Sequence, residues 1–482
     1  MTRQLDPTAQ VAAPDRDDLR RLARIPDEEQ RGLAYRDLLR RGGRSEEITD
    51  LSIAENALLY PLLSEQLFKA LPHPLPERST RYVSPQDTER ITTAMARHFE
   101  ESFGVPHVDP KTVFATAGVS SALEIIALAL QNPTVDGAVP VPRGDAGPVP
   151  RGSNVLIPAP YWQGFNWSFE EVPGLKCVPV PTYKQGNAAE QDTFELTVDD
   201  LEAAYARCAQ PPRLLVLTNP HNPLGVNYPP GLLDAIYEWA LAKSPKMHII
   251  SDEIYRHSQL RHTSDRFVSA LGLAGKHGAV DRVHVVWGFA KDFGLSGFRT
   301  GFIVSGSPAV QHAMTENAAD PWERRRPLSW FSQFDSLKQF YIDPITALSG
   351  AAWDELTTEY SHRLQRSFDA VSTTLGEHGI RFFRPPGTNS TQFFWLDLRE
   401  FLAGAPPAEG PETVLFGDDP DEPEQRLAHY ILKEAGVKLL TGATMYQMDP
   451  RGFYRLCFTA ARLDTLQPAV ERLCRALRKL DS

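Results

Sequence analysis

Residues 287–302 read WGFAKDFGLSGFRTGF. The apolar run Val283–Trp287 that leads into them has the β-branched content of a buried strand, and the small residues Gly288 and Ala290 separate it from Lys291. Gly294, Gly297 and Arg299 follow. A strand therefore delivers one amine into a crowded turn. Standing alone, such a lysine reads as a solvated surface charge. A second reading is chemically specific, because an amine that forms a Schiff base must sit beside a carbonyl and be partly desolvated so that it can lose its proton. An arginine eight residues on, past a glycine-rich bend, is suited to a phosphate of the same ligand.

The other chemistry-bearing residues stand at strand ends and helix starts. Residues 112–131, TVFATAGVSSALEIIALALQ, read as a strand, a glycine-centred turn and an apolar helix, so the N–H groups of Gly118, Val119 and Ser120 make an anion site at the helix start. RLLVLT at 213–218 runs into NPHNPLG at 219–225, and MHII at 247–250 runs into SDEIY at 251–255. Ligands of open α/β sheets bind at such carboxyl ends of strands. NVLIP at 154–158 delivers Tyr161 and Trp162, either of which is a core or a stacking aromatic. In ITDLSIAENALLYPLL, 48–63, Glu55 and Asn56 interrupt an apolar run and read as the cap of a following helix. FYRLCFT, 453–459, places Arg455 on a strand, where its planar fork suits a carboxylate.

The order NPxNPxG, then SDEIY, then Lys291 resembles the fold-type I pyridoxal 5′-phosphate (PLP) enzymes, the aminotransferase class I/II superfamily, and within it the wording from Arg282 to Phe302 is most similar to 1-aminocyclopropane-1-carboxylate (ACC) synthases. The resemblance covers about residues 48–482. It implies an α/β fold-type I transferase, with a mostly parallel seven-stranded sheet in a large domain (81–339) and a smaller α+β domain (48–80 and 340–482), preceded by an N-terminal extension (1–47). It also implies roles. Lys291 is the Schiff-base lysine, Asp252 faces the pyridine nitrogen, Asn222 and Tyr255 bind the ring's phenolic oxygen, and Trp162 rather than Tyr161 stacks on the ring. Gly118, Val119, Ser120 and Arg299 hold the phosphate, and Tyr82 reaches a neighbouring subunit's phosphate in a homodimer with shared sites. Glu55, Arg455 and Arg325 lie toward substrate. One departure stands out: the family's SxSK wording is GFAK here, so Gly288 and Ala290 lack two hydroxyls that help hold phosphate.

Composition narrows the alternatives. A net charge of −11 opposes general binding to nucleic-acid backbones, which needs a basic face. Cys177, Cys208, Cys457 and Cys474 show neither CxxC nor His-paired spacing, so neither a disulfide framework nor a metal site is expected. No run of about 18 apolar residues suggests a membrane span. The arginine-rich first 45 residues carry interleaved acids, unlike a transit peptide, and a cytoplasmic enzyme is expected. Residues 132–152, with a doubled VPRG, read as a loop, 404–424 as an acidic, proline-rich insertion, and about 344–379 as one long helical pattern.

The resemblance implies exchange of Lys291 for a substrate amine, followed by removal of the Cα proton by the freed lysine to give a quinonoid. An ACC synthase-like enzyme uses S-adenosylmethionine and expels methylthioadenosine from Cγ, either closing a cyclopropane or leaving an intermediate for a second substrate. Arg143, Arg151 and Arg324–Arg326 motivate an anionic, phosphate-bearing second partner. An aminotransferase with nearly the same residues is the alternative, and a PLP-fold protein retained for binding alone is a third reading.

Overall fold

The computed structural model describes residues 48–81, 83, 85–131, 148–186, 192–261, 266–314, 335–348, 350–383, 390–407 and 422–481. The expectations for the 1–47 extension, Tyr82, Arg143, Arg324–Arg326 (Arg325 among them) and most of the 404–424 insertion lie outside these residues.

The expected seven-stranded sheet is present. Its strands are β1 (Val113–Thr116), β2 (Asn154–Ala159), β3 (Lys176–Pro181), β4 (Leu214–Thr218), β5 (His248–Asp252), β6 (Val283–Gly288) and β7 (Gly301–Ser305), in the order β3-β2-β4-β5-β6-β7-β1. Only β7 runs against its neighbours, β6 and β1. Side-chain alternation divides each central strand between two cores. Val155, Val216, Ile250, Val286 and Ile303 face one core, while Leu156, Leu215, Ile249, Val285 and Phe302 face the other.

Helix α1 (Pro85–Phe103) packs over the second core. The first is covered by α2 (Val119–Gln131), whose Ala, Leu and Ile residues are almost completely buried. Helices α3 (Val198–Arg207), α4 (Pro230–Lys243) and α5 (Ala270–Lys276) add to the second core, and α6 (Pro308–Met314) lies against α2.

A four-stranded antiparallel sheet stands beside this layer: β8 (Arg381–Phe382), β9 (Phe393–Asp397), β10 (Leu440–Thr441) and β11 (Phe453–Cys457), ordered β8-β9-β11-β10. Helices α7 (Ser336–Thr346), α8 (Ala351–Glu377), α9 (Pro423–Ala435) and α10 (Leu463–Arg478) accompany it. The pattern read as one helix over 344–379 is in fact two. Pro344 falls near the end of α7, and Gly350, at φ 50°, turns the chain before α8. Thr49–Asp50 pairs in parallel with Val437–Lys438 as a separate two-stranded ladder, and Cys457 N–H of β11 donates to Leu51 O at 2.8 Å, which ties the start of the described chain to the smaller sheet.

The two layers meet through backbone bonds as well as side chains. Tyr161 and Gln163 N–H donate to the Tyr446 and Met445 carbonyls at 3.1 and 3.0 Å, and Ser390 N–H donates to Gly225 O at 2.6 Å. Where β7 begins, Gly301 lies against the turn before α2, and a Cβ there would stand 2.6 Å from Gly118 C and 2.8 Å from Val119 N. Backbone atoms cannot yield as a flexible side-chain end can. Gly301→Ala is therefore expected to lower stability by about 1–3 kcal/mol, seen as an earlier thermal melt, whereas Gly231→Ala, with no atom within 4 Å of the new Cβ, is expected to leave the melt in place.

Candidate active site

Lys291 stands in the turn after β6, half-buried, and its Nζ donates to Ala54 O at 2.8 Å. Burial, reinforced by the positive charge of Arg455, lowers its pKa to about 8, against the pull of Glu55. The carbonyl of the same residue accepts from Asn56 Nδ2 at 3.0 Å and Gln392 Nε2 at 2.9 Å. Gly288 at the end of β6 has a packing reason: a Cβ there would sit 2.6 Å from Thr300 O.

Asp252 closes β5 at 5% exposure. Its Oδ1 accepts from Ile254 N–H at 3.2 Å, and burial raises its pKa to about 7 despite that bond and the charge of Lys291. A buried carboxylate so poorly compensated calls for a cationic partner.

Arg455, on β11, is 3% exposed. Its guanidinium lies over the Phe393 ring at 4.3 Å and near the Tyr446 ring at 5.5 Å. Nη1 donates to Asn222 Oδ1 at 3.2 Å and Nη2 to Ser52 O at 2.5 Å, while Nε has no partner among the described residues. Tyr255 is buried edge-on to Phe393 at 5.3 Å, and burial raises its phenol pKa well above the usual value, with the Arg455 charge pulling the other way.

At the other end of the turn, Arg299 adopts φ 49° and folds its guanidinium onto the bend before α2, so that a Cβ on Gly118 would be 2.9 Å from Nη2. The start of α2, with Val119 and Ser120 in its first turn, thus meets an arginine directly. Glu55 reaches the same turn, its two carboxylate oxygens accepting from Ser296 Oγ at 2.7 and 2.8 Å. Asn56 is not the cap of a helix. Its Oδ1 accepts from Leu58 N–H at 3.0 Å, two residues on, and its amide is spent on the lysine turn.

Lys291, Asp252, Asn222, Tyr255, Arg455, Glu55 and Arg299 thus come together through direct contacts and shared electrostatic influence. Trp162 joins this group through Tyr446, which also lies by Arg455. It packs near Phe165 and Trp167, against the apolar cluster that contains Tyr446 and Trp395. Arg151 donates to Val172 O at 3.0 Å, so its guanidinium is engaged locally. Gln392, Ser296, Tyr446 and Asp292 were not singled out from the sequence. Asp292, beside the lysine in an otherwise apolar stretch, gave a signal; Gln392 gave none.

Residues 46–473 match the family described as Aminotransferase class I and II. The chain belongs to that family. It is 30% identical over 451 residues to 1-aminocyclopropane-1-carboxylate synthase 1 of Oryza sativa subsp. indica, covering 88% of this chain and 80% of that one. It is 27% identical over 446 residues to 1-aminocyclopropane-1-carboxylate synthase 7 of Arabidopsis thaliana, covering 88% and 86%. Among solved structures, a single mutant of Thermus thermophilus aspartate aminotransferase shares the fold with a TM-score of 0.66 at 21% identity, over 95% of this chain and 98% of that one.

Members of this family are PLP enzymes acting on amino acids, typically homodimers, and the cofactor here is pyridoxal 5′-phosphate. The residues fit it: the charge of Lys291 leaves the burial of Asp252 uncompensated, Arg299 lies over the α2 start at Gly118 where a Cβ would meet its guanidinium, and Lys291 has a depressed pKa. Among the described residues no helix is long and apolar enough to cross a membrane and no group of side chains could hold a metal ion.

Two outcomes are expected. In protein stripped of cofactor, competitive acetylation with acetic anhydride, read at the Lys291 peptide by mass spectrometry, has its midpoint near pH 8 rather than the ordinary 10.5. Asp252, Glu253 and Asp292 each have a pKa raised to about 7, so their contribution to stability is intact below the ordinary carboxylate range and is lost as pH rises toward 7. Asp252→Asn, free of that charge, is expected to melt later than the parent at pH 8 without cofactor, by about 1–3 kcal/mol, and to lose function in its presence.

Proposed function

We propose that this PLP-dependent enzyme acts on S-adenosylmethionine, removing its Cα proton and releasing 5′-methylthioadenosine from Cγ, as an ACC synthase-like lyase or in a γ-substitution with a second, anionic substrate. What supports the reading is one observation: a lysine of lowered pKa shares a corner with Asp252, Arg455 and Glu55, in a chain 30% identical to an ACC synthase.

In this reading Lys291 is the cofactor lysine. Arg455 takes the substrate α-carboxylate, using Nε, which has no partner among the described residues, and Asn222 steadies its far edge. Phe393 and Tyr446 keep water from that ion pair. Glu55, whose charge is felt at Lys291 Nζ, supplies a countercharge to the sulfonium. Lys291 Nζ accepts the Cα proton while neutral. The bound cofactor supplies a sink for the electron pair left at Cα, with Asp252 as countercharge to its ring nitrogen and Asn222, Tyr255 and Trp162 around the ring. The Cγ–S bond breaks with its pair on sulfur, which leaves as a neutral thioether. In the lyase the Cα pair closes on Cγ; in the substitution a second nucleophile displaces the thioether at Cγ and the Cα pair takes its proton back from Lys291 Nζ.

The same reading includes the division into a large domain (81–339) and a small one (48–80 and 340–482), a cytoplasmic setting, and a homodimer in which Tyr82 and Arg325 serve the neighbouring subunit's site. The exposed apolar residues Tyr60, Leu75, Leu337 and Tyr341, with Tyr341 against Phe68 and Phe298, support apolar surface available to a second copy of the chain. The aminotransferase alternative is supported by the family description and by the aspartate aminotransferase fold match.

Visible absorption before and after S-adenosylmethionine, with chromatography of the mixture, separates the two. A band that shifts while methylthioadenosine accumulates is expected. A band indifferent to S-adenosylmethionine but bleached by another amino acid, with pyridoxamine phosphate and a 2-oxo acid formed, replaces the reading with transamination.

A further inference from the structure

The segment Ala54–Asn56 touches the lysine turn at three points. Ala54 O accepts from Lys291 Nζ at 2.8 Å, the Glu55 carboxylate accepts from Ser296 Oγ at 2.7 Å, and Asn56 Nδ2 donates to Lys291 O at 3.0 Å and Asp292 O at 2.8 Å. One short stretch therefore grips Lys291 at both the tip of its side chain and its backbone. A second grip comes from the corner before β9. Gln392 Nε2 donates to Lys291 O at 2.9 Å and lies 3.2 Å from Ser258 Oγ and 3.0 Å from Tyr360 Oη. Ser258 Oγ donates to Asp292 Oδ1 at 2.6 Å, and His257 N–H donates to Oδ2 at 2.9 Å, so the residue after the lysine is held as well.

The backbone at this corner is unusual. Thr391, fully buried and β-branched, sits at φ 66°, a region such residues rarely enter, and is kept there by its N–H bond to Ser258 O at 2.7 Å. That conformation sets the direction of Gln392. Both grips arise from segments joined to the smaller sheet, since Leu51 O accepts from Cys457 N–H of β11 at 2.8 Å and Gln392 directly precedes β9. Lys291 itself belongs to the seven-stranded sheet's turn.

We propose that Asn56 and Gln392 are positioning residues for Lys291: by saturating its carbonyl from the smaller-sheet side, they hold the turn so that the amine stays buried at one place. The inference rests on the reading of Lys291 as the cofactor lysine. The charged and titratable groups that face Nζ, which are Glu55, Arg299, Arg455, Cys457 and Asp252, need not change for the effect to be seen.

The test uses Asn56→Ser, which keeps a short acceptor for Leu58 N–H and removes the amide donors, and Gln392→Met, which keeps length without donors. Each full-length variant is purified with cofactor, its visible band is titrated against pH, and its Lys291 acetylation midpoint is measured after cofactor removal. Release of the turn is expected to raise the acetylation midpoint by about one unit toward the ordinary lysine value and to displace the band's titration by about as much, with the melting temperature within a few degrees of the parent. Midpoints that stay where they were, whether or not the melt falls, overturn the proposal and leave both residues a structural role only. If Gln392→Met does not fold, Gln392→Asn, which shortens the amide's reach, takes its place. Lys291→Ala separates the two levels: retention of a lysine-type visible band in that variant defeats the reading of Lys291 itself, whereas its loss combined with unchanged midpoints in the other variants defeats the clamp alone.

Discussion

A lysine amine in water is protonated at neutral pH, and its reactive neutral form comes within reach only when water is taken away. At Lys291 this is done by the turn between β6 and β7 and by the segment that crosses it at Ala54. Burial is the leading cause of the lowered pKa, and the nearby Arg455 adds to it. The rest of the site is arranged around that dry spot. Charged groups placed near it cannot rely on water, so each must have a partner or wait for one.

The arrangement of those charges separates support from function. Asp292 is buried but accepts from Ser258 Oγ, His257 N–H and Trp287 Nε1, and Glu253 accepts from Ser251, Ser269 and the Ala270 N–H. Both carry the bonds of structural carboxylates. Asp252 accepts a single bond among the described residues, from the Ile254 N–H at 3.2 Å, although it is as buried. The difference in hydrogen bonding, with similar burial, sets Asp252 apart from both and supports its proposed role as countercharge to the ring nitrogen. Arg455 repeats the pattern with opposite sign, since two of its nitrogens are engaged and Nε is not.

The sheet was legible in the sequence because a buried parallel strand is a continuous apolar run ending in polar residues, and RLLVLT–N, MHII–SD and VHVVW–G all have that form. Their ends carry Asn222, Asp252 and Lys291, so the resemblance could be mapped residue by residue. Contacts between distant segments were not legible. Asn56 has the local look of a cap, yet its amide serves a turn 235 residues away. Gln392 directly precedes β9, and only the left-handed Thr391 before it reveals a corner. The break between α7 and α8 was masked by a helical periodicity that runs across it, although Pro344 and Gly350 are the residues that mark it.

The GFAK wording can now be weighed in physical terms. A serine at position 288 would need its Cβ 2.6 Å from Thr300 O, so β6 and β7 in their present register admit only glycine there. Ala290 is buried and contributes no donor. In the proposed phosphate site the burden then falls on the Arg299 charge and the first turn of α2, with the Glu55–Ser296 contact bracing the loop between them. Attraction by charge and dipole acts over a longer range than a hydroxyl hydrogen bond and is weakened more by salt. With two hydroxyls absent from the proposed phosphate site, the proposed attachment at Lys291, with the backbone grip that steadies its turn, carries the larger share of the anchoring.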